Sequence, residues 1–479
     1  MYSGVVFTFQ DCSPFVTYCN SKNENPEYNE FNRSSDKMNT NHEKGQAIII
    51  IAFAILAIIG FAALAIDGGR ALSDRRHAQN AADTAAYAAA LSKIKGENYV
   101  NAAWDRADSN GYDNNGVSNF VGVHLCSENG ITCVLPSGAN ASEYIQVTIK
   151  SHVKTFFARI LGVNQLTNNV QAVAKATSPV VSSWFSGKAL VSTMTGCKGD
   201  NGDPNNPFTV GGNGTTIVNN SGIFVNSACS VAFVDNGNSN LVTTSQGTCV
   251  VGGIQSGVTG VTPPPVGHCG SQINIYDYVL PNPDDYCAQA GSITGSNGNY
   301  EASPGSYNTS GNKTFPDVSP SGTLKLKKGV YCFYNGISLN ANWTITTDLN
   351  GNHSHDSASE GVFFYVPDGD VTFNGGSSLF VHAIDSSDYP STIQKYLFYI
   401  PLSNEANVTI TGNSGSIYTG TVLAPTSHCT LDGSGNTFSL DTQLICYDTT
   451  ITGSGYIDIT HTDANNAVTS TKPSIKLEQ

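Results

Sequence analysis

The chain has 479 residues, only 13 % of them charged, and a formal net charge of −14. That length allows two or three domains, and the acidic balance excludes a nucleic-acid binder, whose phosphate partners require clustered Lys and Arg. The 48 glycines, with Asn, Ser and Thr abundant past residue 200, describe a secreted, turn-rich β protein and argue against a helical cytosolic enzyme.

Of the 12 cysteines, Cys12 and Cys19 precede the most apolar stretch and the other ten follow it. An even set beyond such a stretch predicts disulfides in an oxidising compartment. No Cys-x-x-Cys occurs, so zinc-ribbon and thioredoxin readings lose their usual support.

Residues 1–43 are polar, Asn-rich and without periodicity, and no folded domain is expected there. They read as a disordered leader or as a mis-annotated start, with Met38 the true first residue. Ala47 to Ile66 then carries no charge and no strongly polar side chain. It has the length of a transmembrane helix, about 20 residues covering about 30 Å. Helical periodicity continues past it. Ala78, Ala81, Ala82, Ala85, Ala86 and Ala89 recur on one face, with Arg75, Arg76, Gln79, Asn80 and Asp83 on the other. Residues 44–96 are therefore expected to form a transmembrane helix extended outward by a half with a thin, small-residue face suited to close packing.

Gly45-Gln46-Ala47, the apolar span, Asp67-Gly68-Gly69-Arg70 and the run from Arg75 through Gln79-Asn80-Ala81-Ala82-Asp83 to Ala86 resemble the N-terminal segment of TadE/TadG-like proteins of the Flp (Tad) pilus system. The last run is the most specific part. The resemblance extends from about Lys44 to Pro179 and says little about the remainder. It implies a pilin-like, non-enzymatic membrane protein whose partners are the membrane and other pilus or assembly subunits. It also places Gly45 and Gln46 at a leader-peptidase cleavage site. Pilin-like precursors usually carry Glu five residues into the mature chain, where this chain has Ile50, so an uncleaved signal anchor is the alternative. Arg33, Lys37 and Lys44 before the span balance Arg70, Arg75 and Arg76 after it, so charge leaves the orientation open. The cysteines and the resemblance place the bulk of the chain outside, as a single-pass protein of the cell surface or pilus.

Residues 97–180 read as a small α+β head. Ile145, Val147 and Ile149 alternate on one strand, and Val170 to Ala176 alternates on another. Between them Thr155-Phe-Phe-Ala-Arg-Ile-Leu-Gly162 reads as a short helix ended by glycine, an order the TadE/TadG group shares. Asn129-Gly130 predicts a two-residue hairpin turn that sets Cys126 opposite Cys133, about 4.5–5.5 Å apart at Cα and within disulfide reach.

Residues 181–462 are short apolar runs punctuated by Gly, Asn, Asp and Ser. Phe363-Phe-Tyr-Val-Pro367 followed by Val371-Thr-Phe-Asn-Gly375 is echoed by Leu397-Phe-Tyr-Ile-Pro401 followed by Val408-Thr-Ile-Thr-Gly412. Repeated strand-plus-turn units predict a β-solenoid, a right-handed parallel β-helix; a β-sandwich is the alternative. Residues 463–479 are polar and expected to be a flexible tail.

Four kinds of chemistry have candidate residues. Asp385-Ser-Ser-Asp388 misses the Asp-x-Ser-x-Ser metal motif at Tyr389. His353-Ser-His355-Asp356 has metal-ligand chemistry but sits in a loop-like run. Asp284-Asp285 and Asp368-Gly-Asp370 are the compact acidic pairs a β-helix carbohydrate enzyme would use, yet both lie at turns. Ser414-Gly-Ser416 is a Gly/Ser turn without the strand–helix context of a hydrolase. The expected protein has no cofactor and presents its β-rich part for assembly or adhesion. An anchored carbohydrate-binding or carbohydrate-active β-helix, with surface glycans as ligands and Tyr278, Tyr300, Tyr334, Trp343 or Tyr389 as stacking residues, is the alternative.

Overall fold

The computed structural model describes residues 46–199, 205–307, 314–339, 342–351, 354–373, 377–412, 415–433 and 438–478. The expectations for residues 1–43, Gly45, His353 and Ser414 fall outside them. The described chain forms two compact units, one of residues up to Arg70 with Thr155–Asn164, the other of Ala71–Lys154 with the chain from Gln165 onward.

In the first unit, helix α1 (Gln46–Ala62) leads into a π-helical turn at Ala63–Asp67. Most of α1 from Ala47 onward is exposed, Ile48 at 74 % and Phe61 at 73 %. The helical run beginning at Ala47 is the one run among the described residues that is long and apolar enough to cross a membrane. The loop Thr155–Asn164 belongs to this unit. The helix expected there is a single 3₁₀ turn, Ala158–Leu161, ended by Gly162 at φ +87°. Backbone bonds from Thr155 N to Asn164 O, 3.2 Å, and from Val163 N to Ala158 O, 3.0 Å, close the loop too soon for a longer helix.

Helix α2 (Gly68–Ile94) belongs to the second unit from Ala71 onward and there buries Ala78, Ala81, Ala82, Ala85, Ala86, Ala89 and Ala90. Helix α3 (Tyr99–Ser109) is N-capped by the Asn98 side chain, which accepts from Val100 N and Asn101 N. Both helices pack on an antiparallel sheet of β1 (Asn119–Leu125), β2 (Tyr144–Lys154) and β3 (Gln165–Thr177). Ile145, Val147 and Ile149 from β2, with Ala172 and Ala174 from β3, meet the alanine face. The all-alanine helix face, set against β-branched and alanine side chains, lets helix and sheet approach closely.

Two expectations fail here. The tail is not loose: Ser474–Glu478 pairs antiparallel with β3 as the fourth strand of the sheet, and Val468–Ser470 pairs with Val181–Ser183. Its polar residues are strand residues with one face to water, which composition alone reads as coil. Cys126 to Gly130 is not a two-residue hairpin either. Two successive turns, Glu128 N to Leu125 O and Ile131 N to Glu128 O, follow β1, and Gly130 takes φ +85°. Cys126 and Cys133 are nevertheless joined, at a Cα separation of 5.7 Å.

Beyond Ser183 the described strands pair in parallel, apart from the hairpin Ser292–Ser296 with Asn299–Ser303 and the antiparallel pairings of the tail. The sandwich alternative requires antiparallel partners. Successive strands fall into three ladders in turn. The repeats legible in the sequence are direct neighbours: Phe364 pairs with Phe398 and Tyr365 with Tyr399 in one ladder, Val371 with Val408 in the next. The Phe364 and Phe398 rings stack at 4.7 Å.

The ladders do not run in chain order. Leu190–Ser192, the first strand of its ladder, lies between Gly222–Val225 and Leu444–Thr452. Thr215–Asn219 likewise lies between Asn240–Thr243 and Tyr456–Thr460. The chain thus enters and leaves its ladders in the middle. A connection from about residue 268 to residue 291 links the two sets. Its Ile273, Ile275, Tyr278 and Leu280, with Trp184 and Phe185, pack on Phe363, Tyr396, Tyr399 and Leu423. Disulfides Cys249–Cys269 and Cys287–Cys332 fix it near both ends. This ladder is consequently buried on both faces, as at Val362–Tyr365, whereas Asn407–Thr411 and Ser378–His382 carry buried residues at every second position.

Candidate functional site

The most organised polar site in the first unit sits where the apolar helix ends. The π turn holds one extra residue, which rotates the side chains that follow it by about 100° relative to a regular helix. Asp67 is its last residue and is only 3 % exposed. Its carboxylate accepts three backbone N–H groups of the loop, from Phe156 at 2.8 Å, Phe157 at 2.9 Å and Ala158 at 2.7 Å. The Ala158 N–H above all, then those of Phe156 and Phe157 and the Arg70 charge, hold this carboxyl below the usual carboxylate range against the opposing effect of burial. Arg70 itself stacks over the Phe156 ring at 4.4 Å.

Farther along α2 the polar side chains tie the helix to the sheet. Gln79 Nε2 donates to Gln171 O on β3, 3.0 Å, and to Asp83 Oδ1, 2.8 Å. Ala81 and Ala82 are buried against the sheet, while Asn80 is on the exposed face. Asp74, which the motif reading passes over, is the hub of this helix. It accepts from Asn168 Nδ2 at 2.6 Å, from Tyr112 Oη at 3.2 Å and from Ser151 Oγ. The available signal is an acidic residue on the otherwise small or basic first turns of α2. Gly69 is exposed, and a Cβ at Gly68 or Gly69 would meet nothing within 4 Å. Ala47 and Ile66, the ends of the expected span, are both exposed, and Gln46 is the first residue of α1.

Residues 45–92 match the Tad family, Flp pilus-assembly TadE/G-like. This segment is TadE/G-like. It coincides with the apolar helix and most of α2, so Asp67, Asp74, Gln79 and the buried alanines all lie within it. No curated protein matches the chain, and no solved structure matches it.

Outside the TadE/G-like segment, the candidate chemical groups are held by local structure. Asp284 lies in the 3₁₀ turn Asp284–Cys287 of the connection and faces Tyr365 and Tyr399. Burial, then this carboxylate, push Tyr399 up to about 12. Asp370 Oδ1 accepts Asn407 N at 3.0 Å between two rows of one ladder. Asp388 pairs with Lys328 at 2.7 Å. His355 stacks on His382 at 4.6 Å and meets Asp385 Oδ1 at 3.2 Å, in a cavity of about 180 Å³ that Lys395 and Asn465 also line. Burial first, then the neighbouring His355, push His382 down to about 4. Among the described residues no group of three or more His, Cys, Asp or Glu converges as a metal site.

Proposed function

We propose that this protein is a membrane-anchored, pilin-like surface component of a Tad/Flp-type pilus system that presents a β-rich domain outside the cell for assembly or adhesion. The observation that carries this reading is the coincidence of the TadE/G-like segment, residues 45–92, with a helix long and apolar enough to span a bilayer. The cysteines support this orientation. All ten cysteines among the described residues are paired, in five disulfides, and such density belongs to an oxidising compartment. On this reading Ala47 to Ile66 crosses the membrane, Gly45-Gln46 is the cleavage site, and α2 with its sheet forms the pilin-like head.

We further read the three parallel ladders as one β-helix entered and left at mid-length. Right-handed winding is the sense that parallel crossovers adopt almost without exception. Such a stack offers a long lateral surface of turns and half-buried strand positions, which suits contact with subunits or a host surface and needs no catalytic group.

The test is the mature N-terminus, read by mass spectrometry in sheared filaments and in membranes separately. A filament-associated chain starting at Gln46 supports a processed subunit. A chain confined to membranes and starting at Met1 or Met38 removes the subunit role and leaves an anchored assembly or surface factor.

A further inference from the structure

The loop Thr155–Asn164 is the least explained surface near the apolar helix. Phe156 is 65 % exposed, Ile160 66 %, Leu161 58 % and Val163 43 %. Isolated exposed apolar residues are ordinary, but four within eight positions form a patch that needs a partner. The root of the loop is fixed: Asp67, the residue directly after Ile66, holds its Phe156, Phe157 and Ala158 N–H groups.

We infer that this loop is a second membrane-contacting element, whose Phe156, Ile160, Leu161 and Val163 side chains enter the interfacial layer of the bilayer that the apolar helix crosses. The inference rests on the membrane-spanning reading of Ala47 to Ile66. Three observations carry it. The loop and the apolar helix belong to one compact unit, and Asp67 holds the root of the loop at the residue where the apolar run ends. The loop also satisfies much of its own backbone: Ile160 N donates to Phe157 O, Gly162 N to Arg159 O and Val163 N to Ala158 O, each at 3.0 Å. An irregular segment facing lipid needs such internal pairing, because hydrocarbon offers no replacement partners. Charge agrees as well. In a chain of net charge −14, Thr155–Asn164 contains no acidic residue and one exposed Arg159, which matches anionic headgroups. Aromatic and aliphatic side chains beside a basic residue are the composition of interfacial anchors.

The experiment uses the full chain reconstituted in phosphatidylcholine vesicles whose acyl chains carry bromine at either shallow or deep positions. Leu161→Trp, Ile160→Trp and, within the span, Phe61→Trp are compared with the unsubstituted protein, and circular dichroism checks that each variant keeps its fold. The emission of the indole added by either loop substitution is expected to be blue-shifted and lost to bromolipid, more with shallow than with deep bromines. If both loop variants emit as water-exposed indoles while Phe61→Trp is quenched, the loop inference is overturned and the span stands. Loop emission shielded from acrylamide yet untouched by bromolipid means a protein covers the patch, which also overturns it. If Phe61→Trp too escapes quenching, the spanning reading fails and the inference falls with it.

Discussion

The core under α2 and the ladder through Val362–Tyr365 are both fully buried, and they are built in opposite ways. Under α2 the contact residues are Ala81, Ala82, Ala85 and Ala86, facing short β-branched and alanine side chains. In the ladder they are Tyr331, Phe333, Phe364 and Phe398, ring against ring. The first design gains close approach and little apolar area per residue. The second gains area per residue and depends on each ring finding its neighbour in the next row. The alanine face therefore loses little when atoms are removed and resists added ones, whereas the aromatic ladder loses most when a ring is removed.

The sharpest way to break the contrast is Phe364→Ala. It should lower unfolding free energy by about 3–5 kcal/mol, read by denaturant titration, whereas Ala85→Gly in α2 should cost only about 1 kcal/mol. Equal losses would mean that the ladder relaxes around the cavity and is no more demanding than the helix. Asp67→Ala comes next. It strips three N–H groups of their acceptor and frees the root of the loop, so tryptic cleavage after Arg159 should speed up by about tenfold. An unchanged cleavage rate would show that the loop holds itself without Asp67.

A pH titration distinguishes the two regions further. His382, in the ladders, is held at about 4 by burial and by His355, against an ordinary value of 6.5. The unfolded chain takes up this proton near 6.5 and the folded chain only near 4. The stabilisation is therefore complete above the unfolded value and is lost as pH falls toward the folded one, on the order of 1–3 kcal/mol in total. His382→Gln should flatten that part of the melting profile; a profile that keeps its slope assigns the effect elsewhere. The smallest effect belongs to the helix. Gly68→Ala or Gly69→Ala should stabilise it by about 0.5–1 kcal/mol, since the added methyl meets nothing in the chain. Loss of filament incorporation despite that gain would mean that a neighbouring subunit needs the space.

What is legible in the sequence is whatever is local or periodic. The alanines of α2, the alternation in β2 and β3, and the Phe-Tyr-Val-Pro and Phe-Tyr-Ile-Pro repeat all announce themselves within a few residues. Asp67 finds its partners 89 to 91 residues downstream, and Asp74 finds Tyr112, Ser151 and Asn168 at 38, 77 and 94 residues downstream, at positions that carry no signature of their own. Ser474–Glu478 reads as a polar tail because its strand character comes from the open edge of β3. Asn129-Gly130 misleads for the opposite reason: it is a strong local turn signal where the following residues leave the sheet.

The entry and exit of the chain at mid-ladder have a consequence for how the protein is made. Thr193 bonds to Cys446, 253 residues away, and Leu190–Ser192 has no partner on that side until Leu444–Thr452 has been synthesised. A chain emerging from its N-terminus must therefore keep one exposed strand edge waiting through most of its synthesis, the condition under which strands of separate molecules join wrongly. Leu444–Thr452 closes that edge late, and Ser474–Glu478 closes the edge of β3 later still. A truncation near the C-terminus would thus be felt first in the sheet under α2 and at the centre of the ladders, far from where the missing residues stand in the sequence.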